Sequence, residues 1–204
     1  MKKRSSTIKR KTRETQITVE LLIGGQGKSK IDTGIGFLDH MLELFSFHGL
    51  FDLNISAKGD LKVDIHHTNE DIGIVLGDAF KKALGDKKGI KRFGSIAVPM
   101  EDVVANVVVD ISGRGFFNGI KGVQVRALGK IKNQEYSIEY ANHFFEAFAK
   151  RLGMNLDVHV SNSANADLHA NLEPIFKGLG IALDQATQID PRRKGIPSTK
   201  GIID

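Results

Sequence analysis

The chain has 204 residues, 41% apolar and 26% charged, which suits a soluble globular protein with length enough for a sizeable core. It has no cysteine, which excludes a disulfide framework and any thiolate site and leaves a metal only histidine and carboxylate to bind. The formal charge of +5 is carried partly at the two ends, in Lys2 to Arg13 and in Arg192-Arg193-Lys194 with Lys200.

The basic start, Met1 to Ser6, is not followed by an apolar signal core, and no apolar run approaches the roughly 20 residues of a membrane span. A cytoplasmic enzyme or binding protein without a membrane partner is the expectation. The terminal charges read as solvated tails or as a cradle for an anion such as phosphate. Nucleic acid ranks below both, because the chain has two Tyr, no Trp and no aromatic-basic RNA-binding module.

Glu14 to Ile23 reads as a strand closed by a Gly24-Gly25 turn, and a short strand follows at Ser29 to Asp32. Phe37, Met41, Leu44 and Phe45 mark one face of a helix over 37–47, with His40 among its apolar residues. His48 falls near the helix end, where it complements the dipole and reads as structural. Phe51 to Ala57 and Asp60 to Ile65 read as a hairpin turned at Lys58-Gly59, with His66 and His67 ending its second strand. Thr68 is then the expected N-cap of a helix ending near Gly85, with Asp71 completing a capping pattern and Glu70 in the first turn.

Farther on, Arg92 sits between Gly89 and Gly94, and Val103 to Ile111 is a buried strand ending in the exposed turn Ser112-Gly113-Arg114-Gly115. Residues 116–135 read as strand and loop. A helix is expected over Ile138 to Leu152, carrying His143, and a strand over Leu156 to Val160 with His159 as a plain sheet residue. Asn171 is the expected N-cap of the last helix, with Pro174 in its first turn and Phe176 to Ala186 completing it.

One spacing joins the halves. His40 precedes His66 by 26 residues (66 − 40) and His143 precedes His169 by 26 (169 − 143). Glu70 follows His66 by four and Glu173 follows His169 by four, so His-(26)-His-(4)-Glu recurs at an offset of 103 (143 − 40). Each half reads as strands, helix, two strands, helix. The expected architecture is α+β, one domain over 1–204 with pseudo-repeats at about 10–90 and 91–190 and a tail at 191–204. His40, His66, His67, Glu70, His143, His169 and Glu173 are the candidate donors, enough for two nitrogen-rich sites. Mn²⁺ or Fe²⁺ suits them better than Mg²⁺. Arg92, Arg114, Ser198 and Lys200 are available to clamp an anion.

At these residues the chain resembles the imidazoleglycerol-phosphate dehydratases of histidine biosynthesis. The matching runs are Arg13 to Ile17, Gly36 to Leu42, Gly59 to Asp71, Gly89 to Gly94, Asp110 to Arg114, His143 to Phe145 and Asp190 to Gly201. The resemblance implies a duplicated α+β fold, ribosomal protein S5 domain 2-like, with its two sheet-plus-two-helix halves packed helix to helix. It implies dehydration of imidazole glycerol phosphate to imidazole acetol phosphate by a hydro-lyase with two Mn²⁺ per active site. Subunits of such proteins assemble as shells, commonly of 24, with sites shared between copies. Metal on both imidazole nitrogens favours the imidazolate, which expels the hydroxyl, while Glu14 moves the carbon-bound proton and also contacts substrate. Arg92, Arg114, Lys177, Ser198 and Lys200 match substrate-binding positions.

One departure bears on the metals. The family's second half normally carries adjacent histidines, whereas here His169 is followed by Ala170, and a methyl group binds no metal. One site is expected to lose a nitrogen ligand, with Asp167, in place of Asn, a neighbour able to compensate. The alternative is a substitution-disabled member that assembles and binds ligand without full activity. Gly115, where Pro is usual, is expected to be harmless.

Overall fold

A computed structural model describes residues 3–123, 136–161 and 166–203. Its first sheet contains β1 (Ser5–Lys11), β2 (Thr15–Leu22), β3 (Ser29–Asp32) and β4 (Asp52–Gly59), in the order β1-β2-β4-β3. Only β3 and β4 run parallel. The second sheet contains β5 (Phe93–Met100), β6 (Val103–Asp110) and β7 (Asn155–Ser161), all antiparallel in that order. Two isolated parallel bridges, Phe116 with Asn155 and Lys121 with His159, lie alongside β7 where β3 lies alongside β4.

Among the described residues, four helices fill the space between the sheets: α1 (Gly36–Gly49), α2 (His66–Leu84), α3 (Ile138–Leu152) and α4 (Leu168–Thr187). The result is an α+β internal duplication in which the halves meet helix to helix, α2 on α3 and α1 on α4. Strand alternation supplies the inner faces, with Ile17, Val19 and Leu21 on β2 and Val103, Ala105, Val107 and Val109 on β6 all buried. Phenylalanines lock the middle layer: Phe148 of α3 meets Phe80 of α2 at 5.6 Å and Phe45 of α1 at 6.2 Å. Close helix approach depends on missing side chains. A Cβ at Gly73 would lie 2.7 Å from the Phe144 carbonyl oxygen, and one at Gly180 would lie 2.4 Å from that of Phe45.

Several local expectations are corrected. Residues 60–65 form a turn leading into α2, not a strand. Strand β4 already has β2 on one side and β3 on the other, so no edge remains for a hairpin partner. His66 and His67 accordingly open α2, whose N-cap is Ile65, and the Asp64 carboxylate accepts from the His66 N–H at 3.1 Å. Thr68 is a buried residue inside the helix rather than its cap. Asn171 likewise lies inside α4. Asp167 is the cap, its Oδ1 accepting from the Ala170 N–H at 2.8 Å, and Pro174 falls beyond the first turn. Among the described residues, each half has one strand, not two, between its helices. Part of the basic tail forms edge strand β1, where outward charges protect an open edge. Strand β5 was not foreseen.

Candidate metal and substrate site

Helix packing brings the candidate donors together across the halves. Helices α1 and α4 place His40, His169 and Glu173 so that one ligand atom from each lies within 4.8 Å of the others. The Glu173 Oε2 is 2.6 Å from the His169 Nε2 and 3.7 Å from the His40 Nε2. Lys177, one turn along α4, holds the other Glu173 oxygen at 2.5 Å. Burial works to raise the Glu173 carboxyl, but hydrogen bonds from Lys177 and His169 outweigh it and leave the group below its ordinary value. His48 lies within range of the same charges. Burial, then Lys177, hold its imidazole below the usual histidine value, with Glu173 opposing.

Helices α2 and α3 form the counterpart. His66 turns Nδ1 towards His143 Nδ1 at 3.1 Å and Nε2 towards Glu70 at 3.4 Å. These three line a cavity of about 250 Å³ with Glu146, Ala147 and Lys150. His66 thus divides its two nitrogens between its neighbours, whereas the first set already converges on one point.

His67 joins neither set. Its Nδ1 lies 3.0 Å from Asp60 and 4.0 Å from Glu14, and Asp60 foremost holds the imidazole above its ordinary pKa. The register explains the grouping: Thr15 pairs with Gly59, so Glu14 and Asp60 leave adjacent strands side by side at the N-terminus of α2. Glu14 is 54% exposed, so its carboxylate is open to an incoming molecule.

The chemistry of both donor sets fits a divalent ion that accepts imidazole nitrogen as well as carboxylate oxygen. Residues 33–183 match the family model described as imidazoleglycerol-phosphate dehydratase. The chain belongs to the imidazoleglycerol-phosphate dehydratase family. Its relative from Geobacter metallireducens is 51% identical over 198 residues, covering 97% of this chain and 98% of that protein. The one from Thermoanaerobacter pseudethanolicus is 52% identical over 200 residues, covering 98% and 100%. Among solved structures, imidazoleglycerol-phosphate dehydratase from Staphylococcus aureus superposes with a TM-score of 0.77 at 34% identity, covering 91% of this chain and 99% of that one. The structure from Pyrococcus furiosus, in complex with (S)-C348, gives 0.76 at 33%, covering 96% and 99%.

Among the other candidate substrate residues, Arg92 is joined directly to the tail. Arg92 makes a bidentate pair with Asp110, at 2.6 and 3.0 Å, and its Nη1 donates to the Pro197 carbonyl at 3.0 Å. That bond anchors the segment carrying Ser198 and Lys200, which is further pinned where the Gly89 N–H donates to the Gly195 carbonyl. Arg114 is exposed on the turn after β6. The next residue, Gly115, packs on α3 so closely that a Cβ would lie 2.3 Å from the Lys150 Cα; glycine is required by that approach.

Ala170 is buried at the edge of a cavity of about 410 Å³ that it shares with His169, Glu101, Asp102 and Asp167. Asp167 spends one carboxylate oxygen on the helix cap. Two further polar neighbours of the candidate donors carry weaker sequence signals: Asp60, in a segment that reads as a strand, and Glu146. For the second, His40-x-x-Glu43 recurs as His143-x-x-Glu146 at the same offset of 103 (146 − 43).

Proposed function

We propose that this chain catalyses the Mn²⁺-dependent dehydration of D-erythro-imidazole glycerol phosphate to imidazole acetol phosphate in L-histidine biosynthesis, with two ions per active site. Membership of a family of hydro-lyases over nearly the whole chain supports the reaction. The convergence of His40, His169 and Glu173 carries the metal reading. His66, Glu70 and His143 would hold the second ion. Bound there, Mn²⁺ supplies Lewis acidity towards the substrate's imidazole nitrogens.

The rest falls to the chain's own groups. Glu14, exposed and next to His67, takes the carbon-bound proton as the hydroxyl leaves on the neighbouring carbon. Arg92, Arg114, Lys177, Ser198 and Lys200 orient the substrate and meet its phosphate; Arg92 does so while fixing the tail through Pro197. His67 projects outside both local donor sets, which favours a homo-oligomer, of 24 copies by the family's habit, with sites built between copies in the cytoplasm. No described helix is long and apolar enough to cross a bilayer.

Ala170 favours a second reading, a member that assembles and binds ligand without full activity. Turnover of imidazole glycerol phosphate with added Mn²⁺, measured alongside bound metal per chain, separates the two. Turnover supports the first reading. An intact assembly with no turnover at saturating Mn²⁺ supports the second.

A further inference from the structure

We propose that Asp60 is a positioning residue for His67: its carboxylate accepts the Nδ1–H and so leaves Nε2 as the ring's bare donor, aimed at a metal held by a second copy of this chain. This rests on the reading above that ions bind between copies.

His67 is anchored through one nitrogen only. Its Nδ1 is 3.0 Å from Asp60 Oδ2, and the described polar contacts of the ring are that one and the 4.0 Å approach of Glu14 to the same nitrogen. In the neutral ring, a carboxylate on one imidazole nitrogen fixes the tautomer, because it can only accept; the lone pair then resides on the other nitrogen. His66 differs. It engages both ring nitrogens within its own chain, towards His143 and Glu70.

Asp60 is arranged for this task at a cost. Its Oδ1 is shielded from solvent and has no hydrogen-bond partner among the described residues. A buried unpaired carboxylate oxygen is unfavourable, so stability alone gives no reason to keep it there. The backbone holds the arrangement firmly. Gly59 pairs with Thr15, and a Cβ at Gly59 would fall 1.8 Å from Thr68 Oγ1, so the strand end and the first turn of α2 are in direct contact. Asp60 and His67 follow from those two anchors.

Mn²⁺ binding to the assembled, full-length protein tests this. Asp60→Ala is expected to weaken Mn²⁺ binding 10- to 100-fold at the ion completed by His67. Asp60→Asn, which keeps the shape and an acceptor oxygen, is expected to lose less. Pulsed electron paramagnetic resonance of the bound ion should show one fewer imidazole nitrogen in Asp60→Ala, and the metal-free variant should melt no lower than the parent. His67→Ala is the control. If it weakens binding and Asp60→Ala does not, the role of Asp60 is overturned while the metal reading stands. If neither weakens binding, the metal reading of His67 falls and this proposal with it. If both Asp60 variants melt lower without metal and keep the parent's imidazole couplings, the carboxylate is structural and the positioning role is overturned.

Discussion

Single residues set the difference between the two repeats. Ala170 removes an imidazole that His67 still provides in the first half, and Asp167 does not replace it with its capping oxygen, which is committed to the Ala170 N–H. The cavity beside Ala170 has room for a ring. Ala170→His is therefore expected to tighten Mn²⁺ binding by about 1–3 kcal/mol, the scale of one charge-assisted contact. Calorimetric titration of the metal-free protein reads this directly; unchanged affinity would mean that another group fills the position. A different residue matters for stability. The Tyr136 hydroxyl, pushed to a higher pKa by complete burial, donates to Asn69 Oδ1 at 2.9 Å, and Asn69 in turn donates to the Tyr140 carbonyl. Tyr136→Phe leaves that oxygen buried and unpaired and should cost about 1–3 kcal/mol in denaturant unfolding. A variant as stable as the parent would show that Asn69 re-pairs.

At the scale of elements, α2 and α4 start differently, which sets how His66 and His169 enter their helices. Helix α2 has no side-chain cap and begins directly with His66, whereas α4 begins under Asp167 with His169 in its first turn. Helix α3 is capped by Ser137, which accepts from the Tyr140 N–H and whose hydroxyl also engages Glu139. That bond holds the Glu139 carboxyl below its ordinary value, so its contribution is full above the usual glutamate pKa, roughly 4.3, and is lost as pH falls through the lower folded value. Ser137→Ala should cost about 1 kcal/mol at neutral pH. The gap between parent and variant should narrow below about pH 4. Melting curves across pH 3–7 check it, and a constant gap would detach Glu139 from the cap. Element boundaries were also where sequence reading faltered. Leu61, Val63 and Ile65 alternate like a strand, but pairing needs a free edge, and which edges β4 keeps is not written in those residues. Ser5–Lys11 erred the other way, because charges that suit a solvated tail equally suit the outer face of an edge strand.

For the whole molecule, metal binding and assembly are one equilibrium if ions lie between copies. Whatever binds the assembled state alone stabilises it by mass action. Chelation with EDTA should therefore lower the melting temperature and shift the assembly to smaller species in light scattering, with Mn²⁺ restoring both. An assembly of unchanged mass and melting temperature after complete metal removal would place the ions away from subunit contacts.

The family and the duplicated α+β plan were determined by sequence alone, and the candidate donors could be named there, because residue type and spacing along one helix or loop are local properties. The partnership among the donors was not. Sequence groups His40 with His66 and Glu70, and His143 with His169 and Glu173, since each trio recurs as one repeat. The folded chain exchanges them: His40 meets His169 and Glu173, while His143 meets His66. The reason is burial. Each half must cover the apolar faces of its two helices, and it does so against the other half, α1 on α4 and α2 on α3, so every donor set is assembled from both repeats. The pairing of His67 with Asp60 has the same origin, since it depends on the β2–β4 register and on the strand end touching α2.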